Sequence, residues 1–203
     1  MKNTGKLAMG FTLIELMVTV SLAAILMAVA VPSFSTFMRN SQLTSFTNTL
    51  LSGINAARGE AMKRGRYAMV VPADGANWDS GWIVFVDVDR SQTYSANHDT
   101  PTDHDITILT SEAKPSYLTI TGNGTASGST PYIMFDASGY ARKKDSTFPG
   151  NQTFEIKRND VTGTELLSQT RRLKIASTGR ARVCTPKSSS DTTCSASTSA
   201  SSF

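Results

Sequence analysis

The chain is poor in the residues that usually carry chemistry. Its 203 residues include only two cysteines, two histidines and two tryptophans. Cys184 and Cys194 both lie near the C-terminus, while His98 and His104 share one polar stretch far from them. That spacing suits no structural zinc site. No Ser/His/Asp or Cys/His arrangement for nucleophilic catalysis can be assembled from it either. There is no glycine-rich phosphate cradle and no internal repeat. The acidic run Asp87-Val88-Asp89-Arg90-Ser91, followed by His98, Asp99, Asp103, His104 and Asp105, has some character of a calcium loop. It lacks the glycine at the sixth position and the terminal glutamate of that motif. An ordinary polar hairpin loop is therefore expected, with no metal, no cofactor and no enzymatic activity.

What is present is unevenly placed. Between Arg66 and Asp136 three basic residues face nine acids, a balance of −6; from Arg142 to Lys187 eleven basic residues face four acids, a balance of +7. A domain polarised in this way suggests an acidic partner for its C-terminal half, although a solvated face is the commoner reason for such a run.

From Phe11 to Val31 the chain is almost wholly apolar, and Glu15 is its only charged residue. As a helix this run spans roughly 30 Å, enough to cross a bilayer. A carboxylate in such a segment costs about 2.5–3.5 kcal/mol and calls for a partner. The basic start (Lys2, Lys6) and the small residues Ala28-Val29-Ala30 also fit an ordinary secretory signal, and a simple signal anchor is a further reading. Neither accounts for an acid so close to the start of the run.

Pro32 predicts a kink. Beyond it, Phe34, Phe37, Leu43, Phe46, Leu50, Ile54, Ala57 and Ala61 recur mostly at spacings of three and four, the pattern of an amphipathic helix that Gly65 should stop. The helix from Phe11 to Arg64 would be about 80 Å long. Short β-rich runs follow, at Tyr67–Val71, Trp82–Val88, Ile106–Thr110, Tyr117–Thr121, Tyr132–Asp136, Thr153–Arg158, Arg171–Ala176 and Arg180–Cys184. Gly, Pro, Asn and Asp between them favour antiparallel pairing. Both tryptophans, Trp78 and Trp82, belong in the core, and Arg142-Lys143-Lys144 reads as a charged turn.

Gly10-Phe11-Thr12-Leu13-Ile14-Glu15-Leu16 resembles the type III signal of type IV pilins and type II secretion pseudopilins. The resemblance implies cleavage after Gly10 by a prepilin peptidase, methylation of the new N-terminal Phe11, and a filament-registering role for Glu15 against a neighbouring subunit's N-terminal amine. Ala56 to Gly65, Gly81 to Asp87 and Thr178 to Thr185 resemble, in order, three markers of the GspH/FimT branch of pilin-like proteins. The implied fold is α+β, a long N-terminal helix packed against two small antiparallel sheets. The implied organisation is a leader (1–10), a transmembrane segment (11–31), an amphipathic helix (32–64), a β-rich globular domain (65–187) and a Ser/Thr-rich mobile tail (188–203). Single-pass insertion in a bacterial inner membrane would put the C-terminal domain in the periplasm, with other pilin subunits as partners. In an exported chain Cys184 and Cys194 should form a disulfide, two free thiols being the alternative. Closing so short a loop is worth about 3 kcal/mol on the chain-entropy model.

The Gly-Arg-x-Arg segment at 179–182 also has a physical reading. A three-residue turn at Ser177-Thr178-Gly179 pairs Ile175 with Ala181 and Lys174 with Arg182, keeping one face apolar and the other cationic, with glycine at the left-handed position. Arg172, Lys174, Arg180 and Arg182 then share one solvent-facing surface, which Lys187 extends. Lys174 opposite Arg182 is a like-charge pair, tolerable where an anion lies between them. Residues two apart on a strand are about 6.8 Å apart, close to the repeat of phosphates along a nucleic-acid strand. The FimT-like resemblance implies DNA capture during natural transformation through this arginine pair. With no aromatic residue interleaved, contacts would go to phosphates and ignore sequence. The alternative is a structural tip or initiator subunit of a pilus or secretion filament.

Overall fold

The computed structural model describes residues 10–96 and 104–196. The chain divides into two compact units, one ending at Ser41 and the other beginning at Gln42. The first helix, α1 (Leu13–Arg64), contributes to both and is unbroken at position 32.

In the first unit Thr12 begins α1, its Oγ1 accepting the Glu15 N–H at 3.2 Å and its carbonyl accepting the Leu16 N–H. The Thr-x-x-Glu spacing of Thr12 and Glu15 marks a helix start, and an acid in the first turn complements the helix dipole. Among the described residues, the apolar side chains that follow are exposed, Leu13, Ile14, Leu22, Ile25, Leu26, Phe34 and Phe37 among them. Among the described residues no helix is long and apolar enough to cross a membrane.

The second unit is a helix against two sheets. Strands β1 (Tyr67–Pro72), β2 (Trp82–Asp87), β3 (Ile106–Thr110) and β5 (Ile133–Phe135) form one antiparallel sheet in the order β3-β2-β1-β5. Strands β4 (Leu118–Gly122), β6 (Gln152–Arg158), β7 (Thr170–Ile175) and β8 (Ala181–Cys184) form the other, in the order β4-β6-β7-β8. A single helical turn, α2 (Glu165–Ser168), precedes β7, and two 3-10 turns lie at Trp78–Ser80 and Gly124–Ala126. Every expected strand is found, with no end shifted by more than one residue.

On α1, Leu43, Leu50, Ile54, Ala57 and Ala61 are fully buried in one cluster with Val70, Val84 and Ile133 of the first sheet and Leu118, Phe154, Ile156 and Leu173 of the second. One apolar stripe thus serves both sheets. Both tryptophans are core residues: Trp82 meets Phe46 edge-on at 5.3 Å, and Trp78 meets Phe154 at 4.9 Å while its Nε1 donates to the Ala126 carbonyl. The outer face of the first sheet carries a smaller cluster, Met69, Phe85 and Met134, covered by Tyr94 and Tyr132. α1 ends where expected: Gly65 takes φ +65°, and the Arg66 N–H reaches back to the Ala61 carbonyl.

A polar junction joins the helix to both sheets. Arg58 Nε donates to the Gly139 carbonyl at 2.9 Å, just beyond β5, and the Ala141 N–H donates to Ser177 in the β7–β8 turn. Gly179 of that turn has φ +81°, and a Cβ there would lie 1.9 Å from the Gly139 oxygen and 2.8 Å from Arg58 Nε. Glycine is required here twice over, by backbone conformation and by space. Gly179→Ala should therefore destabilise the protein by at least about 2 kcal/mol. Denaturant unfolding of the two proteins measures this, and equal midpoints would contradict the junction.

Candidate functional site: the C-terminal basic face

The β7–β8 hairpin has the expected register, Ile175 opposite Ala181 and Lys174 opposite Arg182, with Arg172 opposite Cys184. The cationic side chains do share a face, yet that face is not open to solvent. Cys184 and Cys194 form a disulfide, with Cα atoms 5.9 Å apart. The bridge folds the tail back across the second sheet, where three consecutive backbone carbonyls meet three cations. Arg182 Nη2 donates to Thr193 at 2.7 Å, Arg172 Nη1 to Cys194 at 2.6 Å and Lys174 Nζ to Ser195 at 3.0 Å. Asn123 Nδ2 adds a contact to the Ala196 carbonyl.

Two expectations need correction. Lys174 is fully buried rather than solvent-facing, and Arg182 is half-buried under the tail. Arg172, also half-buried, pairs with Glu155 of the neighbouring strand at 2.7 Å. The negative charge density tolerated between Lys174 and Arg182 comes from the chain's own carbonyl oxygens. The tail was expected to be mobile outside Cys194; as far as residue 196 it is held by hydrogen bonds, while 197–203 lie outside the described residues. Asp191 organises the turn that delivers it: Oδ2 accepts the Lys187 N–H, and Oδ1 accepts the N–H groups of Thr193 and Cys194. These bonds, the Lys187 amide first, hold the Asp191 carboxyl down at about 2. Of the five cations expected to form one surface, Arg180 and Lys187 are exposed.

Electrostatics follow from the burial. Desolvation first, then repulsion from Arg182 and Arg172, lowers the Lys174 ammonium to about 8. Burial pushes Glu155 up, but hydrogen bonds from Arg172 and Lys157 outweigh it and leave the carboxyl below its ordinary value. Arg142-Lys143-Lys144 is the charged turn expected: Arg142 pairs with Asp136 at 2.6 Å and stacks on Phe148 at 4.0 Å.

The expected N-terminal site residues, Gly10, Phe11 and Glu15, are all exposed at the start of α1. His98, Asp99 and Asp103 lie outside the described residues. At the other end of that loop Asp87, Asp89 and Asp105 converge, a grouping sequence reading left as ordinary loop.

With this architecture in view, comparison with known proteins is informative. The family model of the type II transport protein GspH matches residues 47–179, and that of the prokaryotic N-terminal methylation motif matches residues 10–31. The chain belongs to the GspH family. Among solved structures, the type IV minor pilin FimU of Pseudomonas aeruginosa strain PAO1 superposes with a TM-score of 0.50 at 18% identity, covering 75% of this chain and 98% of that one. The minor pseudopilin EpsH of the type 2 secretion system of Vibrio cholerae gives a TM-score of 0.44 at 12% identity, over 72% and 99%. Among curated protein sequences no significant match is found. The likeness to FimU is one of fold, the helix and two antiparallel sheets described above. The GspH match ends at Gly179, so Arg180, Arg182 and the docked tail fall outside it.

Because Lys174 is depressed from its ordinary 10.5 to about 8, the unfolded chain binds more protons between those values. Its unfavourable contribution is complete below pH 8 and fades as pH rises to 10.5. Relative to a Lys174→Met variant, the wild type should gain stability across that window. Denaturation midpoints of both proteins at a series of pH values test this; a difference that does not change with pH would contradict it.

Proposed function

We propose that this GspH-family chain is a minor subunit of a type IV pilus or type II secretion filament, with no enzymatic role. The carrying observation is the apolar, exposed first part of α1, beginning at Leu13 with Glu15 in its first turn. So much unpartnered apolar surface on a helix needs a cover, and a membrane before assembly and neighbouring subunits' helices after it would both supply one. The hydropathy of residues 11–31 supports single-pass anchoring, with the globular unit in the periplasm. The match to the methylation motif supports cleavage after Gly10 by a prepilin peptidase and N-methylation of Phe11. A carboxylate in that setting persists best when paired, and the amine of an adjacent subunit's Phe11 is the fitting partner.

Glu15 also stands in the first turn of α1, where its charge complements the helix dipole, so two variants separate its roles. Glu15→Gln keeps a first-turn hydrogen-bonding side chain and removes the charge. Both Glu15→Gln and Glu15→Ala should insert in the membrane and fail to enter filaments, as followed by immunoblotting of sheared fibres. Normal incorporation of Glu15→Gln would show that the charge is not needed for assembly and sink the pairing.

A second reading, DNA binding during transformation, rests on Arg180 at the exposed hairpin tip and on exposed Lys187. With Arg172, Lys174 and Arg182 engaged by the tail, the available footprint is about two phosphates. Affinity for duplex of any sequence should then be weak, with log affinity falling against log salt at a slope near −2. Arg180→Gln with Lys187→Gln should abolish most of that slope. A slope of −4 or steeper in the oxidised protein would mean that the covered cations also reach DNA.

A further inference from the structure

Asp87 ends β2 and Asp105 immediately precedes β3, so the two acids stand at the two mouths of the same loop, with Asp89 between them in sequence. Asp87 is fully buried and Asp105 is 5% exposed, whereas Asp89 is exposed. One oxygen from each of the three lies within 4.8 Å of the others. The loop backbone is wrapped round them. Asp105 accepts the Val88 N–H on Oδ1 and the Ser95 N–H on Oδ2, Asp87 Oδ2 accepts from Gln92, and Asp89 Oδ1 accepts from Ser91. Arg90 and Gln92 both take left-handed backbone conformations, φ +63° and +58°, to bring this about.

One group is left over. Asp87 Oδ1 is buried and receives no hydrogen bond. A buried acceptor without a donor is a costly arrangement, and one facing two further carboxylates is costlier still. Burial, followed by the contact with Asp89, raises the Asp87 carboxyl to about 6, and burial raises Asp105 as well. Asp89 repels the Asp105 charge as well, and His104 partly offsets it. Arg66, which approaches the loop, gives its Nη1 to the Val88 carbonyl.

We propose that Asp87, Asp89 and Asp105 bind a hard divalent cation, calcium, where the two ends of the β2–β3 loop meet. Calcium is bound by oxygen ligands at 2.3–2.6 Å, so two of its ligand oxygens stand at most about 5 Å apart, and the three carboxylate oxygens here all lie within that reach of one another. An all-carboxylate set disfavours zinc and other metals that take nitrogen or sulfur. The three acids supply half or fewer of the six to eight ligands calcium takes, leaving the rest to loop carbonyls and water. The buried Oδ1 of Asp87 gains a partner, and three like charges in one place gain a counter-charge. The site departs from the EF-hand in using the two ends of a long hairpin loop instead of one twelve-residue segment.

The test uses the full-length chain in detergent micelles, stripped with EDTA and desalted. Calorimetric titration with CaCl2 should show saturable binding of one calcium per chain, with Kd on the order of 10⁻⁴–10⁻³ M, as for extracellular calcium modules. Calcium should also raise the melting temperature beyond the effect of NaCl at equal ionic strength. Asp89→Asn, at an exposed position where folding is safe, should weaken calcium binding at least tenfold, while Asp145→Asn should leave it unchanged. No saturable heat up to about 10 mM calcium, ten times above that range, would overturn the proposal. So would a melting shift that NaCl reproduces, or equal affinity in Asp89→Asn. A stability gain in Asp87→Asn together with no calcium response in the wild type would assign the cluster to a shared proton instead.

Discussion

The cystine between Cys184 and Cys194 determines what the basic half of this domain can be. It ties the residues after β8 back onto the second sheet, so that the carbonyls of Thr193, Cys194 and Ser195 stand over Arg182, Arg172 and Lys174. Without that strap Lys174 would still face Arg182 across the strands and would lose the Ser195 carbonyl that accepts from its ammonium. With it, a run of charge that reads as a ligand surface becomes part of the domain's own construction. Oriented carbonyl dipoles replace the anion that the like-charge pair calls for.

The same strap depends on the fold beneath it. β8 is placed by the turn at Gly179, and that turn is seated against Gly139 and Arg58. Arg58 belongs to α1, whose buried stripe fixes both sheets. The helix end, the first sheet's exit loop and the hairpin are thus assembled at one point, and the tail is added on top. In filament terms the two units divide the work. The apolar start of α1 is the surface that needs other chains, and the globular unit satisfies most of its own charges and leaves Arg180 and Lys187 outward.

How much of this is legible in the sequence depends on the kind of interaction. Side-chain periodicity carries the strands, the stop at Gly65, the core tryptophans and the hairpin register, because an alternating apolar face admits only one pairing of Ile175 with Ala181. What escapes is what the backbone does. The donors on the basic face are visible as residues, but their acceptors are carbonyls of a Ser/Thr-rich tail that any sequence would provide. The cysteine spacing was the available clue: a bridge from β8 to a point ten residues on must bring the intervening chain back over the sheet. The convergence of Asp87 and Asp105 escapes for another reason, since it comes from the antiparallel pairing of β2 with β3 and not from local spacing.

The central claim is that the disulfide-held tail covers the cationic strand, and amine accessibility at Lys174 tests it most directly. The oxidised and the reduced, alkylated proteins would be pulsed with an amine-reactive acylating reagent and the lysines mapped by mass spectrometry, with exposed Lys187 as the internal reference. Lys174 should be protected in the oxidised protein and become labelled once the bridge is opened, while Lys187 reacts equally in both. Labelling of Lys174 at the rate of Lys187 in the oxidised protein would contradict the covered face and return all five cations to solvent.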